Sequence, residues 1–198
     1  MKRRLICGVA AAALLCVSSV ADADAAVVSV RPLPAAYSDQ VTFIAAPGEV
    51  NSVVLHYTSD DPELINGNGS WTVIDTDSVL VAGESCQAID LHVVRCRQRP
   101  DGFGQIYLAR VDLGDLDDRL TVEGNSDQVT YADGGAGRDR LLATDGGNIF
   151  NGGPGDDQLT ALGSGGDGLF GDILKSSSSA WRQARRTRAG DDDPSLRE

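Results

Sequence analysis

Between residues 134 and 160, aspartate, glycine and large apolar residues recur at a spacing suited to binding a cation. Gly134-Gly135-Ala136-Gly137-Arg138-Asp139-Arg140-Leu141-Leu142 fits the pattern G-G-x-G-x-D-x-U-x, where U is a large apolar residue. Gly152-Gly153-Pro154-Gly155-Asp156-Asp157-Gln158-Leu159-Thr160 fits it again, two nine-residue periods later. Glycines allow the positive φ angles of a sharp turn. Such a turn exposes backbone carbonyls, and the sixth-position Asp adds a carboxylate. Oxygen donors of both kinds suit a hard cation, calcium above all. The last three residues of each unit make a short strand whose eighth residue points inward. Turns two units apart stack on one edge, so Asp139 and Asp157 are expected to share an ion.

The phase extends in both directions. Residues 143–151 place Asn148 sixth and Phe150 eighth. Residues 113–121 place Asp118 and Leu120 there, and residues 122–130 place Asp127 and Val129. Residues 131–133 then interrupt the array, and Ala161 is one inserted residue before the unit 162–170, with Asp167 sixth and Leu169 eighth. Asn148 and Asp167 form the pair on the opposite edge, which should be weaker because Asn148 is neutral and Ala161 disturbs the register. The candidate cation ligands are therefore Asp139 and Asp157, then Asn148, Asp167, Asp118 and Asp127. A Gly/Asp-rich linker and a solenoid without metal are the competing readings. A linker needs no apolar residue in every unit. A metal-free solenoid would not crowd thirteen acids against three arginines between residues 112 and 172, because those turns would repel one another. Asp75-Thr76-Asp77 and Asp115-Leu116-Asp117 begin like EF-hand loops but lack the glycine, and read as turns.

Other elements must position these turns. Helical periodicity is nearly absent before residue 175. Residues 41–44, 52–58, 71–75, 89–94 and 106–111 read as strands separated by Pro, Gly, Asn and Asp. The expected class is all-β: a parallel β-roll, or β-solenoid, of nonapeptide repeats with a degenerate β-rich N-terminal half. A faint echo of the repeat places Asn51 and Val53 in the sixth and eighth positions. The N-terminal half is thus either a degenerate continuation capping the solenoid or a separate small β-sandwich.

Lys2-Arg3-Arg4, an apolar run over residues 5–20 and Ala23-Asp24-Ala25 have the layout of an export signal. The run is short and alanine-rich for a membrane span. The expected division is signal 1–25, β-rich segment 26–111, repeats 112–174 and a polar, basic tail 175–198. Removing the signal takes away Cys7 and Cys16 and leaves Cys86 and Cys96, which suggests one disulfide in an exported chain. It also removes three basic and two acidic residues, moving the formal charge from −12 to about −13. That balance suits divalent cations and argues against nucleic acid. The tail, with Arg182, Arg185, Arg186 and Arg188, reads as a poorly amphipathic helix, a mobile segment, or the product of a frameshift that cut the repeats short. His56 and His92 are the only histidines, and neither an H-E-x-x-H nor a G-x-S-x-G motif is present. No catalysis is expected.

Residues 134–142 and 152–160 resemble the RTX, or haemolysin-type, calcium-binding repeat family. The whole layout is similar to secreted actinobacterial calcium-binding proteins that carry this repeat. The resemblance implies a parallel β-roll, calcium held in the turns and an extracellular location. Its carboxylates fall on Asp139 and Asp157, and less directly on Asp118, Asp127 and Asp167. Two departures stand out: an N-terminal rather than a C-terminal export signal, and a short, half-degenerate array. The expectation is a secreted calcium-binding protein with no membrane span. The alternative is an extracellular adhesion or matrix module that uses calcium structurally and binds a protein or glycan.

Overall fold

β-Branched and aliphatic residues at alternate positions give this chain its strands, and their inward faces give it one core. In a computed structural model the described residues are 25–33, 38–59, 69–99, 106, 108–124, 128–162 and 166–171. The export-signal-like segment, the basic tail and Asp127 lie outside them. All regular elements among the described residues are strands. The N-terminal half supplies β1 (Ala26–Leu33), β2 (Ser38–Ile44), β3 (Ser52–Ser59), β4 (Gly69–Asp75), β5 (Leu80–Ala82), β6 (Cys86–Ala88) and β7 (Val93–Arg97). The C-terminal half supplies β8 (Leu108–Asp112), β9 (Arg119–Glu123), β10 (Val129–Asp133), β11 (Arg140–Ala143), β12 (Gly147–Asn151), β13 (Gln158–Ala161) and β14 (Gly168–Phe170).

The protein is all-β, with two mixed seven-stranded sheets. One runs β14-β12-β10-β8-β2-β1-β5 and the other β13-β11-β9-β3-β4-β7-β6. From β8 to β14 successive strands alternate between the sheets, and each pairs in parallel with the strand two steps away. β2 and β3 join the same stacks, pairing in parallel with β8 and β9. Antiparallel β1 and β4 then take over. Both sheets therefore run through both halves, and the N-terminal half is not a separate sandwich. The echo at Asn51 and Val53 has a structural counterpart: Val53 pairs with Leu120 and is buried beside it.

Inward residues stack in columns. Val53, Leu120, Leu141 and Leu159 form one, and Phe43, Val111, Ala132, Phe150 and Leu169 the facing one. The largest buried side chain among the described residues, Trp71, lies in the N-terminal half, where its indole N–H donates to the carbonyl of Ile106 at 2.6 Å.

The pairing register corrects four expectations. Residues 131–133 do not interrupt the array; they belong to β10, where Ala132 points inward and Val129 is only half-buried. The sixth position of that unit is held by Thr130, not Asp127, because Thr130 pairs with Asn148. The three extra residues fall between Glu123 and Gln128, making the offset 21 instead of 18. Ala161 is likewise no insertion. It lies in β13 opposite Ala143, fully buried, and the extra residue falls between it and Gly168. The expected strand at 89–94 is divided: β6 and β7 form a hairpin with residues 89–92 as its turn. β1 and β5 were not expected as strands; polar and proline residues in and beside them hide their alternation.

Cys86 and Cys96 are direct cross-strand partners in that hairpin and form a disulfide.

Candidate metal centre

The parallel register brings the sixth-position residues of every other unit into a row. On one edge the row is Asn51, Asp118, Asp139, Asp157. Each carboxylate spends one oxygen on the preceding coil. Asp118 Oδ1 accepts the Asn51 N–H at 2.7 Å, Asp139 Oδ1 accepts the Asp118 N–H at 2.9 Å, and Asp157 Oδ1 accepts the Asp139 N–H at 3.0 Å. The other oxygens, Oδ2 of Asp118, Asp139 and Asp157, are buried with no hydrogen-bond partner. A groove of ≈ 550 Å³ runs along this edge, lined by these carboxylates and by Asn51, Asp77, Asp117, Arg138 and Asp156 among others.

The three motif glycines have separate reasons for being glycine. A Cβ at Gly134 or Gly152, the first position, would strike the Oδ2 of the sixth-position Asp in its own unit. At Gly135 and Gly153, the second position, φ is +83° and +80° and a Cβ would meet a carbonyl of the preceding coil. At Gly137 and Gly155, the fourth, it would meet the carbonyls of Leu116 and Gly137. The turns thus close directly over the carboxylates and over one another. In the degenerate unit 113–121, Leu113 and Leu116 stand at the first and fourth positions, and Leu116 carries the strained φ of 78°.

Closely stacked carboxylates are electrostatically costly. Adjacent coils are about 4.8 Å apart. Two unit charges at about 5 Å repel by about 3 kcal/mol at an effective dielectric of about 20. One charge-assisted hydrogen bond contributes about 1.5–3 kcal/mol, and an unsatisfied buried oxygen costs about as much. The row is therefore unfavourable when fully ionised and uncompensated. Burial pushes the Asp118 carboxyl up to about 7 and the Asp139 carboxyl up to about 6; the N–H bonds oppose the rise and neighbouring carboxylates add to it. Basic side chains do not supply the compensation. Arg119, Arg138 and Arg140 line the groove, but among the described residues the ion pairs are Arg138 with Asp117 on the rim, Arg99 with Asp39 and Glu84, and His56 with Glu123; none involves the row.

The opposite edge is built differently. Its row is Thr130, Asn148, Asp167. Asn148 and Asp167 are brought together despite the extra residue: Asp167 Oδ1 accepts the Asn148 N–H at 3.0 Å. Asn148 Nδ2 donates to the carbonyls of Asp145 and Gly146 and to Asp167 Oδ1. Its amide thus places a donor among three oxygens, as a cation would place a charge. Asp167 Oδ2 remains unpartnered.

No family model, curated protein or solved structure matches the chain.

Two residues outside the expected ligand set complete the geometry. Asn51 begins the acidic row, and Asp75 holds it in place. Fully buried, Asp75 accepts from Asn51 Nδ2 and from the backbone N–H groups of Ser52, Asp77 and Ser78. Its reading as a turn residue agrees with the last two bonds. His92 Nδ1 lies between the carbonyls of Asp75 and Ser78 and supports the same turn. No group of three or more His, Cys, Asp or Glu side chains converges as a metal site among the described residues. An ion at this edge would instead take one carboxylate oxygen per coil and complete its shell from the turn backbone.

Proposed function

We propose that this protein binds calcium along one edge of a parallel β-roll formed by its C-terminal half, and that it acts outside the cell without catalysis of its own. The buried, unpartnered Oδ2 atoms of Asp118, Asp139 and Asp157, in a row with which no basic side chain among the described residues forms an ion pair, carry the reading. Such a row requires protons or cations between its members. The donor set is all oxygen, with neither thiol nor imidazole lining the groove, which favours a hard ion. An irregular set of carbonyls and single carboxylate oxygens suits the flexible coordination of calcium better than the strict octahedron of magnesium. Asp118, Asp139 and Asp157 would hold the ions, with carbonyls of the turns 113–117, 134–138 and 152–156. Asn148 and Asp167 make a weaker candidate pair, since the Asn148 amide already serves the carbonyls there.

The alternation of β8 to β14 between two sheets, with offsets of 18, 19 and 21 residues between paired strands, supports the β-roll. The Cys86–Cys96 disulfide and the signal-like N-terminus support an extracellular site of action. Calorimetric titration of the purified chain with calcium, against a chelator-treated control, tests the function. Saturable binding in the micromolar to millimolar range, weakened at least tenfold by Asp139→Ala or Asp157→Ala, is expected. Absence of binding at several millimolar calcium would end the reading.

A further inference from the structure

The acidic row continues past the point where the repeat motif stops. β3 runs parallel to β9, so Asn51 stands beside Asp118 as Asp118 stands beside Asp139. The Asn51 N–H makes the same bond to the next coil that the aspartates make. Asn51 is 1% exposed. Its amide has a determined orientation: Nδ2 donates to Asp75 Oδ2 at 2.9 Å, and only the amide's donor end can face a carboxylate. Asn51 Oδ1 is consequently left without a partner, as is Asp118 Oδ2. Both residues line the groove that holds Asp139 and Asp157. Asn148 differs, because there the amide nitrogen is turned on the turn carbonyls and does the work of a cation.

We infer that a further divalent-cation site, for calcium, lies at the junction of the two halves and takes Asn51 Oδ1 and Asp118 Oδ2. The inference rests on the calcium reading of the row. The turn before Asn51, Ala46-Pro47-Gly48-Glu49-Val50, carries only a faint echo of the repeat, so this site joins a degenerate coil to the first repeat coil. An ion there ties the N-terminal core to the array.

The test is the number and affinity of calcium ions bound by the full chain, measured by calorimetry. Asn51→Ala removes the amide oxygen. It should abolish one ion, or weaken one at least tenfold, and leave the rest unchanged. Unchanged ion number and affinities in Asn51→Ala would overturn the junction site while the calcium reading stands. No binding by the unsubstituted chain would overturn both. Should Asn51→Ala not fold, Asn51→Asp decides. It sets a third carboxylate against Asp75 and Asp118, so its melting temperature should fall in chelator and recover in saturating calcium. An equal fall in both conditions would overturn the site.

Discussion

Each aspartate of the row divides its oxygens between two tasks: Oδ1 holds the backbone of the preceding coil and Oδ2 has no partner. An Asn in the same place keeps one acceptor oxygen and replaces the charge with a donor; on the other edge the Asn148 amide donates to the turn carbonyls. Asp139→Asn should therefore have effects of opposite sign. In chelator it should raise stability by about 1–2 kcal/mol, since an unsatisfied, repelling oxygen is removed. In calcium it should lose most of the ion-dependent gain. Asn148→Asp should do the reverse, lowering cation-free stability and increasing the response to calcium. Melting curves of both variants with and without calcium check this; a parallel shift in both conditions would show that the charge has no part in ion binding. At the glycines the constraint is steric. Gly155→Ala places a Cβ on the Gly137 carbonyl at φ +148°, whereas Gly166 has open space. Gly155→Ala should cost at least the roughly 1–3 kcal/mol of a strained backbone, and Gly166→Ala much less. Denaturant unfolding in saturating calcium measures the difference.

Among the elements, the β6–β7 hairpin is the one stapled covalently. Its disulfide joins residues ten apart in sequence, and the buried Cys96 packs with Trp71 and Val94 in the main core. Native protein lacking residues 1–25, and with them Cys7 and Cys16, should show no free thiol until reduced. Reduction should cost about 2–3 kcal/mol, as expected for a short closed loop. Two titratable thiols in native, unreduced protein would refute the bond in solution. Because β6 is an edge strand and the hairpin is distant in sheet order from β11 and β13, reduction should leave calcium affinity nearly unchanged. Asp75 is the link that qualifies this. It bonds to Asn51 at the start of the row, and its backbone N–H donates to the carbonyl of His92 in the hairpin turn. Asp75→Ala, which from sequence looks like a neutral turn substitution, should therefore destabilise the protein.

For the molecule as a whole, the two halves differ in what holds them. Trp71, Phe43, Leu55 and Ile106 give the N-terminal side a substantial apolar core. The last coils rest mainly on Leu141, Phe150, Leu159, Leu169 and small alanines, while ordering their glycine-rich turns costs roughly 1–2 kcal/mol per residue. Hydrogen exchange in chelator should show β1 to β4 protected and β11 to β14 open, with calcium protecting the latter, as the proposed binding to the folded coils alone requires. Equal protection of both halves in chelator would contradict calcium-linked folding. Acidity provides a second lever. Burial pushes the Asp118 and Asp139 carboxyls up to about 7 and about 6 in the folded state, above the ordinary carboxylate value of 3.8. Protons thus favour the folded state: this contribution is complete below about pH 4 and is lost as pH rises through 6 and 7. In chelator the melting temperature should fall between pH 5 and 8. In calcium the fall should vanish, since the ion replaces the protons. A chelator profile that rises over this window would contradict the burial of these acids.

Spacing alone determined the repeats, the pairing of Asp139 with Asp157 and the glycine turns, because a nine-residue period is local and each unit carries its own turn, carboxylate and apolar anchor. Oxidation chemistry and the two cysteines left outside an export-signal-like segment pointed to Cys86 and Cys96 in the same way. The tertiary structure decided where the register slips. A slip of three residues can be absorbed anywhere in a turn, and only strand pairing shows that Thr130, rather than Asp127, occupies the row. It also decided that Asn51, which the faint echo placed sixth, stands beside Asp118 and that Asp75 belongs to the acidic edge. They lie 67 and 43 residues from Asp118, and only parallel pairing of β3 with β9 and antiparallel pairing of β3 with β4 bring them there. Sequence shows which residues carry candidate oxygens; the contacts between distant strands decide which of those oxygens are left without a partner.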